Sequence, residues 1–273
     1  PGGWTAGAMV ADAGFRTLQV EREKVPGFHV GESLVPETYW ILRRLGVLQQ
    51  MQQSAFVKKV SVQFISHDGK VSQPFFFNKH DPRECSQTWQ VERAEFDQLL
   101  FNNAIDKGVE GLDQTRVLDV MFDGIRACGV RLASTDRKPR EVSARVVVDA
   151  TGQQALLANR LKLRKDHPNL RKAAIWSYFQ GAHRDSGEHG GGTIILHSED
   201  KNTWFWFIPL SQDIVSIGVV GDNDFLLSKS RRDKTPAGVF QEELHKCPRL
   251  VERMVSARTV SHYHVAKEFS YQT

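Results

Sequence analysis

Pro1-Gly2-Gly3-Trp4-Thr5-Ala6-Gly7-Ala8-Met9-Val10, then Gly14 and Phe15-Arg16-Thr17-Leu18-Gln19-Val20-Glu21, is the stretch that decides the fold. Small residues after a glycine pair open a helix. Gly14 breaks it, and Phe15 to Val20 reads as a strand ended by Glu21. Glycine-rich turn, helix, strand and terminal acid make up the second half of a dinucleotide-binding unit. In such a unit glycines let the backbone approach a pyrophosphate at a helix N-terminus, and an acid about 20 residues on accepts ribose hydroxyls. Gly2, Gly3 and Glu21 are the candidate contacts, with Gly3 as the last glycine of the fingerprint; the unit's first strand and first glycines are not in the sequence. Far downstream, Val146-Val147-Val148-Asp149-Ala150-Thr151-Gly152 predicts a buried parallel strand running into a turn and a helix to Arg160.

Composition narrows the class. The 273 residues suffice for one large or two modest domains with a real core. A hydrophobic share of 40% and a charged share of 25% are those of an ordinary globular protein. No apolar run reaches the ~18 residues of a membrane span, and no signal peptide is visible. The net charge of +4 is scattered, with clusters at Arg160 to Arg164 and Lys229 to Lys234. It suits anionic cofactors or substrates; without a binding motif it does not point to nucleic acid. Cys85, Cys128 and Cys247 form no C-x-x-C pair, so neither a disulfide framework nor a zinc knuckle is indicated, and a reducing cytoplasm fits. His262-Tyr263-His264 would point two imidazoles one way on a strand, but with no third ligand in register no metal site is expected.

Between these landmarks, Glu37 to Gln50 predicts a helix with Ile41, Leu42, Leu45 and Leu48 on one face. Phe56 to Phe64 and Val71 to Phe77 predict a β-hairpin around His67-Asp68-Gly69-Lys70. Lys58 and Lys59 begin its first strand, and only one of two adjacent strand residues can face an interior. Alternation places Lys58 with Val60, Val62 and Phe64, and Lys59 with Ser61 and Gln63. A solvated surface pair is the plain alternative. Strands are predicted at Arg116 to Phe122, Gly129 to Thr135 and Glu141 to Asp149. Four more, Ala173 to Gly181, Gly192 to His197, Thr203 to Leu210 and Val215 to Gly221, suggest an antiparallel sheet. The polar, glycine-rich Asp185 to Gly192 reads as a mobile loop. Phe225 to Met254 holds helical pieces broken by Pro236 and Pro248.

Trp204-Phe205-Trp206-Phe207-Ile208-Pro209 is the most distinctive strand. Its alternation sends Trp204, Trp206 and Ile208 to one face and Phe205 and Phe207 to the other, and Pro209 marks a strand end or edge. A two-sided core strand is the plain reading. The Trp-x-Trp-x-Ile-Pro pattern, however, resembles the flavin-dependent halogenases. So do Gly31-Glu32-Ser33-Leu34-Val35-Pro36, Arg93-Ala94-Glu95-Phe96-Asp97, Asp149-Ala150-Thr151-Gly152 and Phe269-Ser270-Tyr271. The resemblance runs from Gly3 to Tyr271. It implies an α/β fold: a Rossmann-like FAD/NAD(P)-binding domain of the glutathione-reductase type, with an inserted antiparallel substrate sheet. Residues 1–50 and 89–165 would bind FAD, and residues 51–88 and 166–273 would form the substrate side. The resemblance also implies a cofactor set of Gly2, Gly3, Glu21, Gly31, Glu32, Ser33, Arg93, Leu118, Asp149 and Gly152. It makes Lys59 the reactive lysine, five residues before Phe64, and sets Trp204 and Trp206 beside the flavin to keep organic substrate from it. The chemistry implied is halogenation. A separate flavin reductase supplies FADH2, molecular oxygen and halide (chloride or bromide) yield hypohalous acid through a flavin hydroperoxide, and an electron-rich aromatic ring, free or bound to a carrier protein, is halogenated. The same flavin motifs serve aromatic hydroxylases and geranylgeranyl-reductase-like enzymes, and an inactive flavin-binding fragment is a further alternative; Lys59 and the tryptophan pair discriminate.

Overall fold

Two hydrophobic cores organise the chain, one around the N-terminal helices and one beneath a large sheet. The computed structural model describes residues 1–273 except 135–136, 168–169, 229–230, 232, 269 and 273. Thr135, Lys229 and Phe269, each named above in a predicted strand, cluster or motif, lie outside the described residues.

Helix α1 (Gly2–Asp12) ends before Gly14, whose φ of +85° only glycine adopts freely. Strand β1 (Leu18–Val20) is shorter than predicted. Between Glu37 and Gln50 there are two helices, α2 (Thr38–Leu45) and α3 (Leu48–Gln53). Gly46 closes α2 in the left-handed conformation, which ends its helical register. Leu42 and Leu45 are buried as expected, whereas Ile41 faces outward at 44% exposure. The predicted strand from Phe56 to Phe64 also divides. β2 (Val57–Lys59) pairs with β5 (Thr88–Gln90), and after Val60 the chain enters a different sheet as β3 (Ser61–Ile65). The turn at Gly69 forms, but the hairpin is reduced to β3 against β4 (Phe75–Phe76), before one helical turn, α4 (Phe77–His80).

Helix α5 (Arg93–Asp106) packs on α1 and leads to β6 (Glu110–Leu112), parallel to β1. Trp4, Leu45, Met51, Trp89, Phe96 and Leu100 form the core of this half. β7 (Thr115–Asp123), β8 (Arg126–Ser134) and β9 (Arg137–Ser143) make the expected meander. The valine run after it is not a strand. Val146 and Val148 are 75% and 65% exposed, in a segment without regular structure. An apolar run becomes a strand only where a neighbour completes its hydrogen-bond ladder, and no described strand pairs with 146–148. The turn at Gly152 and the helix α6 (Leu156–Arg160) follow as predicted.

The second half is built on one sheet of eight strands plus a short pair. β10 (Lys165–Asp166) pairs with β17 (Tyr271–Gln272). β11 (Lys172–Gln180), β12 (Thr193–His197), β13 (Thr203–Pro209) and β14 (Ile214–Asp222) lie in the order β11-β14-β13-β12-β3-β4. β15 (Arg258–Thr259) and β16 (His264–Lys267) both pair with β11. The predicted antiparallel sheet is present, with one parallel pairing, β3 against β12. α7 (Asn223–Leu226), α8 (Pro236–Leu244) and α9 (Pro248–Arg253) complete this half, and α8 and α9 cover one face of the sheet with Phe240, Leu244 and Leu250. Pro236 and Pro248 start their helices rather than break them, because a first-turn N–H has no intrahelical partner to lose. In the Asp185 to Gly192 loop, Asp185 is held by Arg253 at 2.9 Å.

Candidate functional site

Strand β13 separates its two faces cleanly. Phe205 and Phe207 are 0% and 1% exposed and pack into the core under α8. Trp204 and Trp206 stand half-buried on the opposite face, ring centroids 6.5 Å apart. Trp206 donates its indole N–H to Ser216 Oγ at 3.2 Å. The neighbouring strand makes room for it with Gly218, opposite Trp206 in register. A β-carbon there would lie 2.6 Å from Trp176 Cβ and closer still to the Trp206 ring. Trp176, on β11, thus reaches Trp206 across the glycine at 6.2 Å. Sequence reading did not single out Trp176 or Gly218, since only the strand register brings them to Trp206. The wall continues through His264, stacked on Trp176 at 5.1 Å and on Phe28 at 4.2 Å. Burial and the neighbouring His262 lower the His264 proton affinity. The His262 and His264 rings lie 4.0 Å apart, tilted by 50°, with only His264 on a strand, and among the described residues there is no group of three or more His, Cys, Asp or Glu that could hold a metal ion.

The Gly31-Glu32-Ser33-Leu34 segment ties this wall to the N-terminal half. Each residue in turn meets a different element. Gly31 has a φ of +112°, and Arg93 closes on the side a β-carbon would occupy. Glu32, 2% exposed, accepts from the Tyr178 hydroxyl of β11 at 2.5 Å. Burial, then the adjacent Glu32, pushes the Tyr178 hydroxyl far above its ordinary range, so it keeps its proton. Ser33 Oγ lies 3.2 Å from Thr193 Oγ1 on β12. The carbonyl of Leu34 accepts from Lys59 Nζ at 3.0 Å.

Lys59 is the enclosed lysine of its pair, 7% exposed, and Lys58 is exposed. The Lys59 ammonium also faces the Phe77 ring, 5.7 Å from its centroid. Burial lowers its pKa from 10.5 to about 8, because nothing of opposite charge offsets the lost solvation. An amine with that pKa is about one-tenth neutral at pH 7, several hundred times more than an ordinary lysine.

The remaining predicted residues fall into two groups. Gly2 stands in the first turn of α1 with open space where a side chain would project, and Gly152, at φ +58°, is also open. Gly3 instead serves packing: a β-carbon there would lie 2.7 Å from Gln19 on β1, and one at Gly7 would lie 2.6 Å from it. Arg93 donates to Val30 O at 2.5 Å and twice to Asp97, at 3.0 and 3.3 Å, so three of its five N–H donors are committed. Glu21 follows β1, its carboxyl accepting from the Glu23 amide at 3.0 Å. Asp149 accepts from Thr151 and Leu157. Those bonds outweigh the opposing effect of burial and hold its carboxyl below the usual range. Leu118 lies on β7 with 42% of its surface exposed. Open glycines at a helix N-terminus, a left-handed glycine against an arginine with free donors, and an acid after β1 suit a dinucleotide's phosphates, linker and ribose.

The profile of the FAD dependent oxidoreductase family matches residues 1–160, and the chain belongs to that family. Several of the proteins it resembles are halogenating enzymes. It is 28% identical to a 1H-pyrrole-2-carbonyl-[peptidyl-carrier protein] brominase of Pseudoalteromonas luteoviolacea, over 100% of this chain and 64% of the relative. It is also 28% identical to a 1H-pyrrole-2-carbonyl-[peptidyl-carrier protein] chlorinase of Pseudomonas fluorescens, over 99% of this chain and 64% of that relative. The fold matches the myxobacterial chondrochloren halogenase CndH with a TM-score of 0.91 and 30% identity, covering 99% of this chain and 62% of that one. The chain therefore spans about 64% of the length of these curated relatives.

Proposed function

We propose that this protein acts as an FADH2-dependent halogenase of electron-rich aromatic rings. The observation that carries the reading is Lys59: a buried amine of lowered proton affinity, hydrogen-bonded to the backbone of the segment assigned to the cofactor. Reduced flavin, when bound, supplies the electrons by which molecular oxygen and chloride or bromide become hypohalous acid. Gly2, Glu21, Gly31, Glu32, Ser33, Arg93, Asp149 and Gly152 hold the cofactor, and Gly3 lets the helix sit against β1. Lys59 holds the oxidant by hydrogen bond or as neutral amine, and its enclosure keeps water from consuming it. Trp204 and Trp206 separate organic substrate from the flavin ring. The substrate is a small aromatic ring; the carrier-bound substrates named for two relatives support a carrier-tethered one. FADH2 comes from a separate reductase. Three free cysteines support work in a reducing cytoplasm, and no described helix is long and apolar enough to cross a membrane.

The tryptophan role is testable separately from the lysine. Because Trp204 and Trp206 leave the core face of β13 intact, Trp204→Ala with Trp206→Ala is expected to raise peroxide released per flavin oxidised, or to permit oxygenated product. A change confined to the melting temperature, with product yield per folded molecule intact, would reduce the pair to packing.

A further inference from the structure

Tyr178 shares a face of the large sheet with the tryptophans. It follows Trp176 by two residues on β11, so alternation puts both on one side. The register sets Trp176, Gly218 and Trp206 in one row, and Tyr178, Ser216 and Ile208 in the next. From that face the Tyr178 hydroxyl donates to Glu32 Oε1 at 2.5 Å, the length of a charge-assisted bond. The other Glu32 oxygen accepts from the Gly31 amide at 3.2 Å. Both oxygens of a carboxyl that is 2% exposed are thus engaged within the protein. The proposed reaction gives the Tyr178 hydroxyl no part.

The segment that carries Glu32 also carries the acceptor of Lys59. Its backbone runs as a strand beside β5. The Val91 amide donates to Glu32 O at 2.8 Å, the Leu34 amide to Trp89 O at 3.0 Å, and Ser33 pairs with Gln90 between them. On its other side β5 pairs with β2, Lys59 opposite Thr88. Lys59 reaches across β5 to the Leu34 carbonyl at 3.0 Å. These bonds fix a small three-stranded unit, and other contacts set how it leans on the large sheet. At the β12 end, Thr193 bonds Ser33 and Gln90, each at 3.2 Å, and β2 runs on into β3 through Val60. At the β11 side, three strands away, the tie is the hydrogen bond from Tyr178 to Glu32. Two ties that far apart set the angle between the unit and the wall; one alone leaves a hinge.

We propose that Tyr178 is a positioning residue for Lys59: its bond to Glu32 clamps the Gly31–Leu34 segment against the tryptophan-bearing sheet, and the clamped segment holds the Leu34 carbonyl on the lysine. Without the clamp the segment swings from the sheet, water enters beside Leu34, and the ammonium loses its fixed place. The coupling of Tyr178 to Lys59 stands on the geometry; its bearing on catalysis rests on the proposed halogenation.

The test is Tyr178→Phe, which keeps the ring and deletes the hydroxyl, and Tyr178→Phe combined with Glu32→Gln, which also removes the buried charge that the single variant leaves without its partner. If the single variant fails to fold, the double variant decides. Burial alone lowers the Lys59 pKa, so its titration reports how closely the lysine is enclosed. The Lys59 ε-carbon signal would be followed against pH by NMR in full-length protein carrying isotope-labelled lysine, and assigned with Lys59→Arg. The parent midpoint is expected at about 8, and in both variants it should rise above about 9, towards the 10.5 of a solvated lysine. Halogenated product per flavin oxidised should fall by about 10-fold or more in both, the effect of a misplaced reacting group. A midpoint that stays at about 8 in both variants would overturn the proposal, whatever the activity. So would a midpoint raised in the single variant and restored in the double one, which would assign the shift to the unpartnered charge of Glu32. A raised midpoint in both variants of a protein whose parent halogenates nothing would uphold the clamp and count against the proposed reaction only.

Discussion

At the scale of single residues, Lys59 and Gly218 show what one side chain can set. Unfolded, a lysine keeps its proton to about 10.5, whereas folded Lys59 keeps it only to about 8. Folding therefore carries the full desolvation penalty below about pH 8, and the penalty fades as pH rises from 8 towards 10.5. Lys59→Met should be more stable than the parent at pH 7, by no more than about 3 kcal/mol, and the difference should shrink by pH 10. Denaturant melts at the two pH values read this directly, and a pH-independent difference would refute it. Lys58→Ala should stay within about 0.5 kcal/mol at either pH. Gly218→Ala should cost about 1–3 kcal/mol, because the new methyl meets two indoles; near-neutral stability by chemical denaturation would mean that the wall yields easily. Lys59 was named through the resemblance, five residues before Phe64. Alternation alone only separated it from Lys58 and grouped Lys58 with Val60, Val62 and Phe64, a face that is open at Phe64, 51% exposed, while Ser61 on the Lys59 side is buried. Gly218, Trp176 and the Glu32–Tyr178 pair were not legible. Each depends on which residues of strands far apart in sequence face one another, and nothing local encodes that.

At the scale of elements, β13 divides a sealed face from a half-open one. Its phenylalanine face is sealed by α8 and its tryptophan face is half-open. Phe205→Ala should cost about 3–5 kcal/mol, as for other buried phenylalanines, and Trp204→Ala clearly less. Equal losses in thermal or denaturant unfolding would restore the two-sided core reading. The pattern of β13 was readable because period two needs no partner to be seen. The valine run at 146–148 was misread because composition alone reports apolar surface and not whether a neighbouring strand exists. The divided strand at Val60 and the divided helix at Gly46 failed for a related reason: tertiary pairing and a left-handed glycine cut through otherwise continuous patterns.

At the scale of the whole molecule, the Gly31–Leu34 segment joins the two halves. Four consecutive residues meet α5, β11, β12 and β2, so Arg93, the tryptophan-bearing sheet and Lys59 are held in one frame. Glu21→Ala should weaken FAD binding by about 1–3 kcal/mol through loss of the ribose acceptor, measured by equilibrium titration; an unchanged affinity would remove Glu21 from the cofactor site. The central claim is that flavin oxidation and halogen transfer are separable at Lys59. The most direct measurement is halogenated product per flavin oxidised, for the parent and Lys59→Ala, in the full-length protein supplied with FADH2, oxygen, an electron-rich aromatic substrate and bromide or chloride. The account predicts that Lys59→Ala oxidises FADH2 and releases peroxide at nearly the parental rate while its halogenated product falls by about 100-fold or more; full product yield from Lys59→Ala would contradict it.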